Sequence, residues 1–366
     1  MENNEIEKLP EANFTGNDVC PEKGKSNTNQ NNCMLILTAE DVLKTYPEYE
    51  AESARKYYEF LKLREENPTF GYKRLAKLLG VKNGRTRCWK QWDGKPTPIL
   101  AIEKLIAVGL LPLYSDNPKM PAILRLLGAG FTDGGIDKNL NTFHFNSARM
   151  ENIMAWKKDF LEVFPFGEEK LSAIITGYNE SSIGVRTTER AIVRFFAAIG
   201  CPVGNKTIVT YNLPKYLAEL SETLRAAFLD GFFSCEASLP PVTTFSISMS
   251  KIEEKEAGHM QFLRDFCALC KSVGIEYTSI NKVPQKKTLV DGTPRRKDGK
   301  VCDSFRILFS YKPENVIKTH SILPLTYAYE KKIRFDKLIA RYEEKTTKGP
   351  KTNSGEKSIW NLIDHK

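Results

Sequence analysis

Hydrophobic positions are scarce up to residue 36, where Asn, Glu, Lys and Ser dominate and runs such as SNTNQNN offer nothing to a core. Residues 1–36 therefore read as a disordered leader. From Thr38 onward apolar residues recur at the three-to-four-residue spacing of a helix face. Thr38 followed by Asp41 opens a helix in the manner of a capping box, and a longer helix runs through SARKYYEFLKLREEN to close before Pro68. The segment FGYKRLAKLLGVKNGRTRCWKQWDGK predicts a helix over residues 72–79, a turn at Gly80 and a second helix over about 83–92. Leu75, Leu78, Leu79, Val81 and Trp89 would be their shared core. Pro96, Pro98 and Pro112 bracket one more helix, residues 100–108, and the polar, turn-rich YSDNPKMP marks a boundary near residue 115.

Beyond that boundary one order of elements occurs twice. LLGAGFTDGG (126–135) and LDGFFSCEAS (229–238) each end an apolar helix, and laid together they place Gly128 on Gly231, Thr132 on Cys235 and Asp133 on Glu236. The first is followed by strand-like NTFHFNSA, a helix over 151–164, strands SAIITGY and IGVRTTE, and the helix RAIVRFFAAIG. The second is followed by TTFSISMS, a helix over 258–273, strands EYTSINKV and FRILFSY, and a helical tail. Polar and apolar residues alternate in TFHFNS and TFSISMS, so one sheet face packs on helices and the other stays open. A repeat of this length predicts two copies of one α+β unit. Leu124, Gly128 and Thr132 in one helix, and Ala227, Gly231 and Cys235 in the other, lie four residues apart. Small residues at that spacing let two helix backbones approach closely. Such packing brings Asp133 and Glu236 together at the helix ends, where two carboxylates repel unless divalent cations sit between them.

Length and charge refine this picture. A chain of 366 residues suffices for two or three compact units. No apolar run approaches the ~18 residues of a membrane span. The polar, acidic N-terminus (MENNEIEKLPEANF) does not resemble a signal or transit peptide. An intracellular location is expected, cytoplasmic or in an organellar matrix, with no membrane partner. The net charge of +9 conceals −6 on residues 1–50 and hence +15 on residues 51–366. That surplus suits a polyanion such as nucleic acid, although a protein that is merely basic carries the same balance. Arg85, Arg87 and Lys90 load the second helix of the 72–92 segment, as in a helix-turn-helix that reads DNA; helix pairs that only pack look similar. Of eight cysteines, Cys267 and Cys270 form a CxxC inside an amphipathic helix with no second pair, so free thiols are expected rather than zinc. His144, His259, His320 and His365 do not cluster, and no Gly-rich phosphate loop is present.

The two decapeptides resemble the LAGLIDADG motif of homing endonucleases, and the likeness in element order extends over about residues 118–345. The resemblance implies an α+β protein of two pseudo-symmetric αββαββα halves, joined at the motif helices and forming a saddle over double-stranded DNA. The halves would be residues 116–215 and 216–346, preceded by a helical, helix-turn-helix-like domain (37–115) and followed by a flexible tail (347–366). Phe131 and Ser234 stand where the family has an earlier acid. Ala237 replaces the usual final Gly of the second motif, which predicts strain in the turn presenting Glu236. By resemblance, Asp133 and Glu236 are catalytic and bind two or three Mg²⁺ ions, with a shared central position. The family's basic residue after the last helix of each half points to Lys206 and Lys332, positions that plain surface lysines would fit equally.

Bases would be read by strand side chains: Asn141, His144, Asn146, Arg186 and Thr188 in the first half, and Thr244, Ser246, Ser248, Lys282 and Arg306 in the second. A one-residue slip in register inverts that set. The segment PQKKTLVDGTPRRKDGK, with Lys286, Lys287, Arg295 and Arg296, would clamp phosphates or else be a solvated loop. The expected function is site-specific double-strand cleavage leaving short 3′ overhangs. It would promote mobility of the protein's own intron or gene, carried out by a monomer with internal two-fold pseudo-symmetry. An intron RNA maturase and a non-cleaving transcription regulator share the fold and remain alternatives; retained acids favour the nuclease. Without a nucleophile at position 1 or a terminal His-Asn pair, a free-standing protein is expected rather than an intein.

Overall fold

Thr38 opens the first helix as its spacing from Asp41 predicts. Its hydroxyl accepts from the Asp41 amide at 3.2 Å, and the Asp41 carboxylate accepts from the Thr38 amide at 3.1 Å. The computed structural model in which this is seen describes residues 33–176, 182–240, 245–284 and 300–347. Most of the expected leader and tail lie outside the described residues. Helices α1 (Ala39–Leu43), α2 (Glu48–Glu66), α3 (Tyr72–Leu79), α4 (Asn83–Gln91) and α5 (Thr97–Ala107) follow in order. Gly80, in the left-handed region at φ 66°, ends α3 and turns the chain into α4. Trp89 is buried against the rings of Tyr57 and Phe60, at 5.5 and 5.4 Å between centroids.

Three expectations change here. Leu78 faces solvent, because it lies off the stripe set by Leu75 and Leu79. α5 begins three residues earlier than expected, since Pro98 suits the first turn of a helix. Residues 35 and 36 belong to strand β1 (Leu35–Leu37), not to a leader: the apolar run MLIL pairs with β2 (Leu113–Tyr114).

The remaining elements fall into two equivalent series. The first is α6 (Met120–Gly130), β3 (Gly134–Ile136), β4 (Phe143–Ser147), α7 (Met150–Val163), β5 (Leu171–Thr176), β6 (Ser182–Thr187) and α8 (Arg190–Ala198). The second is α9 (Glu222–Glu236), β7 (Ala237–Ser238), β8 (Ser246–Ile252), α10 (Glu256–Ser272), β9 (Tyr277–Pro284), β10 (Cys302–Phe309) and α11 (Pro313–Ile322), extended by α12 (Tyr329–Thr347). Each series forms one small antiparallel sheet, in the orders β3-β4-β6-β5 and β7-β8-β10-β9. The protein is therefore α+β, with the order αββαββα present twice. Strands β3 and β7 are too short for alternation to reveal them.

The halves meet along α6 and α9, backbone against backbone. A Cβ on Gly128 would overlap the Phe228 carbonyl oxygen and sit 2.8 Å from the Phe232 nitrogen, and one on Gly231 would overlap the Arg125 carbonyl oxygen. Phe131 is fully buried, stacked on Phe262 and edge-on to Phe228 and Tyr211. Loss of an acid at that position thus adds to the core. The strain expected at Ala237 is absent: with φ −72° and ψ 135° the residue is extended, and the chain passes straight into β7. The boundary near residue 115 is no break in packing, and residues from Met34 onward cluster as one unit. The Arg194 guanidinium of α8 donates to the Thr45 carbonyl and lies 4.3 Å from the Tyr46 ring, while Lys104 pairs with Glu189 at 2.9 Å.

Candidate metal and nucleic-acid site

Glu236 is the last residue of α9, and Asp133 follows the end of α6 by three residues. Parallel packing of the glycine faces delivers both carboxylates to one place, where Glu236 senses the charge of Asp133. Burial, then the charge of Asp133, pushes Glu236 up to about 7; the nearby Lys206 and Lys331 oppose the shift. Asp133 is also raised, by the closeness of surrounding protein, although the residue as a whole is exposed. Neither carboxylate is taken up by an ion pair among the described residues. Two carboxylates brought close enough for the charge of Asp133 to raise Glu236, neither taken up by an ion pair, are a donor set that fits a hard divalent cation with water and phosphate oxygens completing its shell. No group of three or more His, Cys, Asp or Glu suited to a metal occurs among the described residues, and Cys267 and Cys270 are buried free thiols.

A lysine closes each helix end. The Lys206 ammonium donates to the carbonyls of Gly130 (3.2 Å), Thr132 and Gly134. Lys331 donates to those of Ser234 and Cys235, both at 2.8 Å. Each thereby satisfies carbonyls that a helix terminus leaves open. Desolvation lowers the pKa of both, against the pull of Asp133 and Glu236. The expectation of Lys332 is corrected: it is exposed and pairs with Asp336 at 2.7 Å, about 100° round α12 from Lys331. Lys331 shares a helix face with buried Phe335, four residues on, and that spacing was the available signal.

The open faces of the two sheets flank this site. In the first, Phe143 and Phe145 point at Trp156 and Phe196, leaving His144 and Asn146 on the outer face beside Arg186. Asn146 donates to the Asp133 carbonyl at 3.3 Å, so this face runs up to the carboxylates. Burial and Lys206 lower the pKa of His144, which keeps its ring neutral near pH 7. Asn141 is corrected: it lies in the turn closed by Asp137, before β4, and Thr142 is the residue in phase with His144. Thr188 is exposed just past the end of β6.

In the second sheet Arg306 stands opposite Ser248 and Asn281, and its Nε donates to Ser248 at 3.1 Å. Ser246 shares that phase but is buried. Lys282 is corrected to the helix-covered face. It is paired with Phe305 across the sheet and ion-paired at 2.8 Å to both Glu256 and Asp303. Asn281 holds the open-face position instead. Thr244, Lys286, Lys287, Arg295 and Arg296 lie outside the described residues.

In the helical segment, Arg85 and Arg87 are exposed on α4, with Arg87 5.2 Å from the Trp92 ring centroid. Lys90 is corrected from reader to latch: its ammonium donates to the Phe70 carbonyl and fixes α4 to the loop before α3.

The raised pKa of Glu236 predicts a pH-dependent effect on stability. Ionising a carboxylate that the folded state holds near 7, against 4.5 unfolded, costs stability progressively between those values and fully above them. Glu236→Gln should therefore stabilise the metal-free protein at pH 8 by on the order of 3 kcal/mol, seen as a higher Tm. The gap should close below pH 4.5. Thermal melts across pH 4–9 check this.

No family model matches the chain. Among curated proteins it is 28% identical over 231 residues to a tRNA-splicing ligase RtcB of Pyrococcus abyssi, covering 57% of this chain and 24% of that one. It is 27% identical over 209 residues to the DNA-directed RNA polymerase subunit Rpo1N of Methanocaldococcus jannaschii, covering 52% and 15%. It is 30% identical over 132 residues to the archaeal Lon protease of Pyrococcus abyssi, covering 36% and 12%. The chain spans about a quarter or less of the length of these relatives. Among solved structures, mesophilic variants of the homing endonuclease I-DmoI align at TM-score 0.37 and 13% identity, over 56% of this chain and 96% of theirs. I-DmoI in complex with DNA and Ca aligns at 0.35 and 13%, over 56% and 90%. At those scores the likeness defines neither fold nor activity.

Proposed function

We propose that this protein is a divalent-metal-dependent, site-specific DNA endonuclease of the LAGLIDADG homing type. The observation that carries this reading is the pairing of Asp133 and Glu236 at the ends of two glycine-packed helices, between two sheets with open polar faces. The pair is costly to the apo protein, and a cation between two DNA strands gives the cost a purpose. Asp133 and Glu236 would hold Mg²⁺, which when bound supplies an activated water and charge stabilisation at the leaving 3′ oxygen. Lys206 and Lys331 would place positive charge beside the scissile phosphates. Arg186, Arg306, Asn146 and Asn281 would meet base edges in the major groove, with Arg85 and Arg87 on flanking duplex.

The sequence relatives support a mobile role. A ligase, a polymerase subunit and a protease have no activity in common, and each shares with this chain a segment amounting to 24% or less of its length. A shared segment in unrelated hosts is what an inserted, self-propagating nuclease module leaves behind.

The test is a cleavage assay on DNA spanning the locus that carries the gene, with the insertion removed. Mg²⁺-dependent linearisation with short 3′ overhangs is expected, and Mg²⁺ should raise the Tm of the wild type at pH 8 but not of Glu236→Gln. Tight binding without cutting would overturn the reading in favour of a regulator, and preference for an intron transcript would favour a maturase. Lys206→Ala and Lys331→Ala should each slow cutting about 100-fold, with Lys332→Ala close to wild type. Single-turnover rates compare the three.

A further inference from the structure

Each of the two site lysines bonds through its ammonium to its own half, while its main chain or the start of its helix is tied to the other half. Lys206 lies in the segment that leaves the first half, yet its main chain is gripped from β8 of the second. The buried Lys251 ammonium donates to the carbonyls of Lys206 (2.5 Å) and Val209 (2.7 Å) and lies 4.1 Å from the Tyr211 ring centroid. The Ile252 amide donates to the Thr207 carbonyl at 3.1 Å. Lys331 belongs to the second half, yet the start of α12 is tied to α7 of the first. The Tyr329 amide donates to Asn152 at 2.9 Å, Glu330 pairs with Arg149, and the Tyr327 hydroxyl donates to the Asp159 carboxylate at 2.5 Å. Arg125 of α6 grips the same Asp159 through two bonds, at 2.6 and 3.0 Å.

We infer that Lys251 and Asn152 are reciprocal positioning residues, through which the docking of each half sets the lysine of the other and the two sites are coupled. A buried ammonium spent on two main-chain carbonyls has no other evident use, since a norleucine-like stem would fill the space without the desolvation cost. Were the own-half ammonium bonds the whole anchorage of each lysine, relative movement of the halves would leave both in place. With crossed anchors, a half that is poorly seated misplaces the partner's lysine. As applied to DNA cutting, this rests on the endonuclease reading.

The anchors can be tested without activity, by acetylating the full chain with N-hydroxysulfosuccinimide acetate and following each lysine by mass spectrometry. Lys251→Met should raise the modification rate of Lys206 about fivefold, the scale of one lost hydrogen bond, and leave Lys331 unchanged. Asn152→Leu should do the reverse, and Asn152→Asp, which keeps the acceptor, should behave as wild type. Equal responses of both lysines, or none, would overturn the inference whatever the protein cuts. If Lys251→Met fails to fold, Lys251→Arg replaces it: retained donors should leave Lys206 protected, and exposure of Lys206 would count against the crossed anchor. On DNA nicked strand by strand, Lys251→Met and Asn152→Leu should shift the ratio of the two cutting rates in opposite directions by about tenfold. Wild-type failure to cut would refute the endonuclease reading alone.

Discussion

Gly128→Ala is expected to destabilise the protein by about 3 kcal/mol or more, while Gly84→Ala stabilises it by about 0.5 kcal/mol. Both are helical glycines, and helix propensity alone favours alanine at each. The difference is what the new methyl meets. At Gly84 nothing lies within 4 Å. At Gly128 the methyl lands on the Phe228 carbonyl oxygen, on the backbone of α9, which has no rotamer to yield. The helices must part, and the apolar surface between them, Leu124, Leu127, Phe228 and Phe232 included, loses contacts that close packing supplies. Gly231→Ala meets the Arg125 carbonyl and should match Gly128→Ala in sign and size. Parting α6 from α9 also separates Asp133 from Glu236, so the raised pKa of Glu236 should fall toward 4.5 in whatever remains folded. Urea unfolding of the three variants decides the matter; a stabilised Gly128→Ala would mean that the helices do not meet as described.

The second large effect concerns the carboxylates. Asp133→Asn and Glu236→Gln preserve shape and remove one negative charge from a site that pays to hold two. Each should reduce cleavage of both strands by about a thousandfold or more, since a cation ligand that acts at the reacting phosphate contributes on the scale of a preorganised charge-stabilising group. The sign for binding is opposite. A carboxylate near a phosphate repels it, so both variants should hold metal-free DNA more tightly than wild type, most clearly at low salt. Loss of cutting together with a gain in affinity is a pattern that misfolding does not produce. Single-turnover cleavage beside a binding isotherm in chelator gives both numbers. A variant that cuts at the wild-type rate would remove that carboxylate from the chemistry.

These two effects trace to residues that a reader of the sequence could find. Gly128 with Gly231, and Asp133 with Glu236, are tied by the same offset between two decapeptides, and a repeat supplies its own internal control. What the sequence conceals has specific causes. Strands β3 and β7 are three and two residues long, below the length at which alternation registers. Adjacent Lys331 and Lys332 differ by about 100° around a helix, and only the phase of Phe335 separates them. The phase of Lys282 and Asn281 depends on pairing with β10, across a segment of the chain outside the described residues, and β9 itself is too exposed for burial to mark its inner face. Lys90 carried no sign in its own neighbourhood that Phe70 would claim it. Long-range partners, not local preferences, decided each of these.

The helical segment rests on α8 of the first half, through Arg194, Glu189 and Glu50, whereas the equivalent helix of the second half, α11, lies against α12. Two near-equal lobes are thereby given a head and a tail. A body with a true dyad presents the same face from either end, and this one does not. On the proposed duplex target, direction as much as location would be set by the protein.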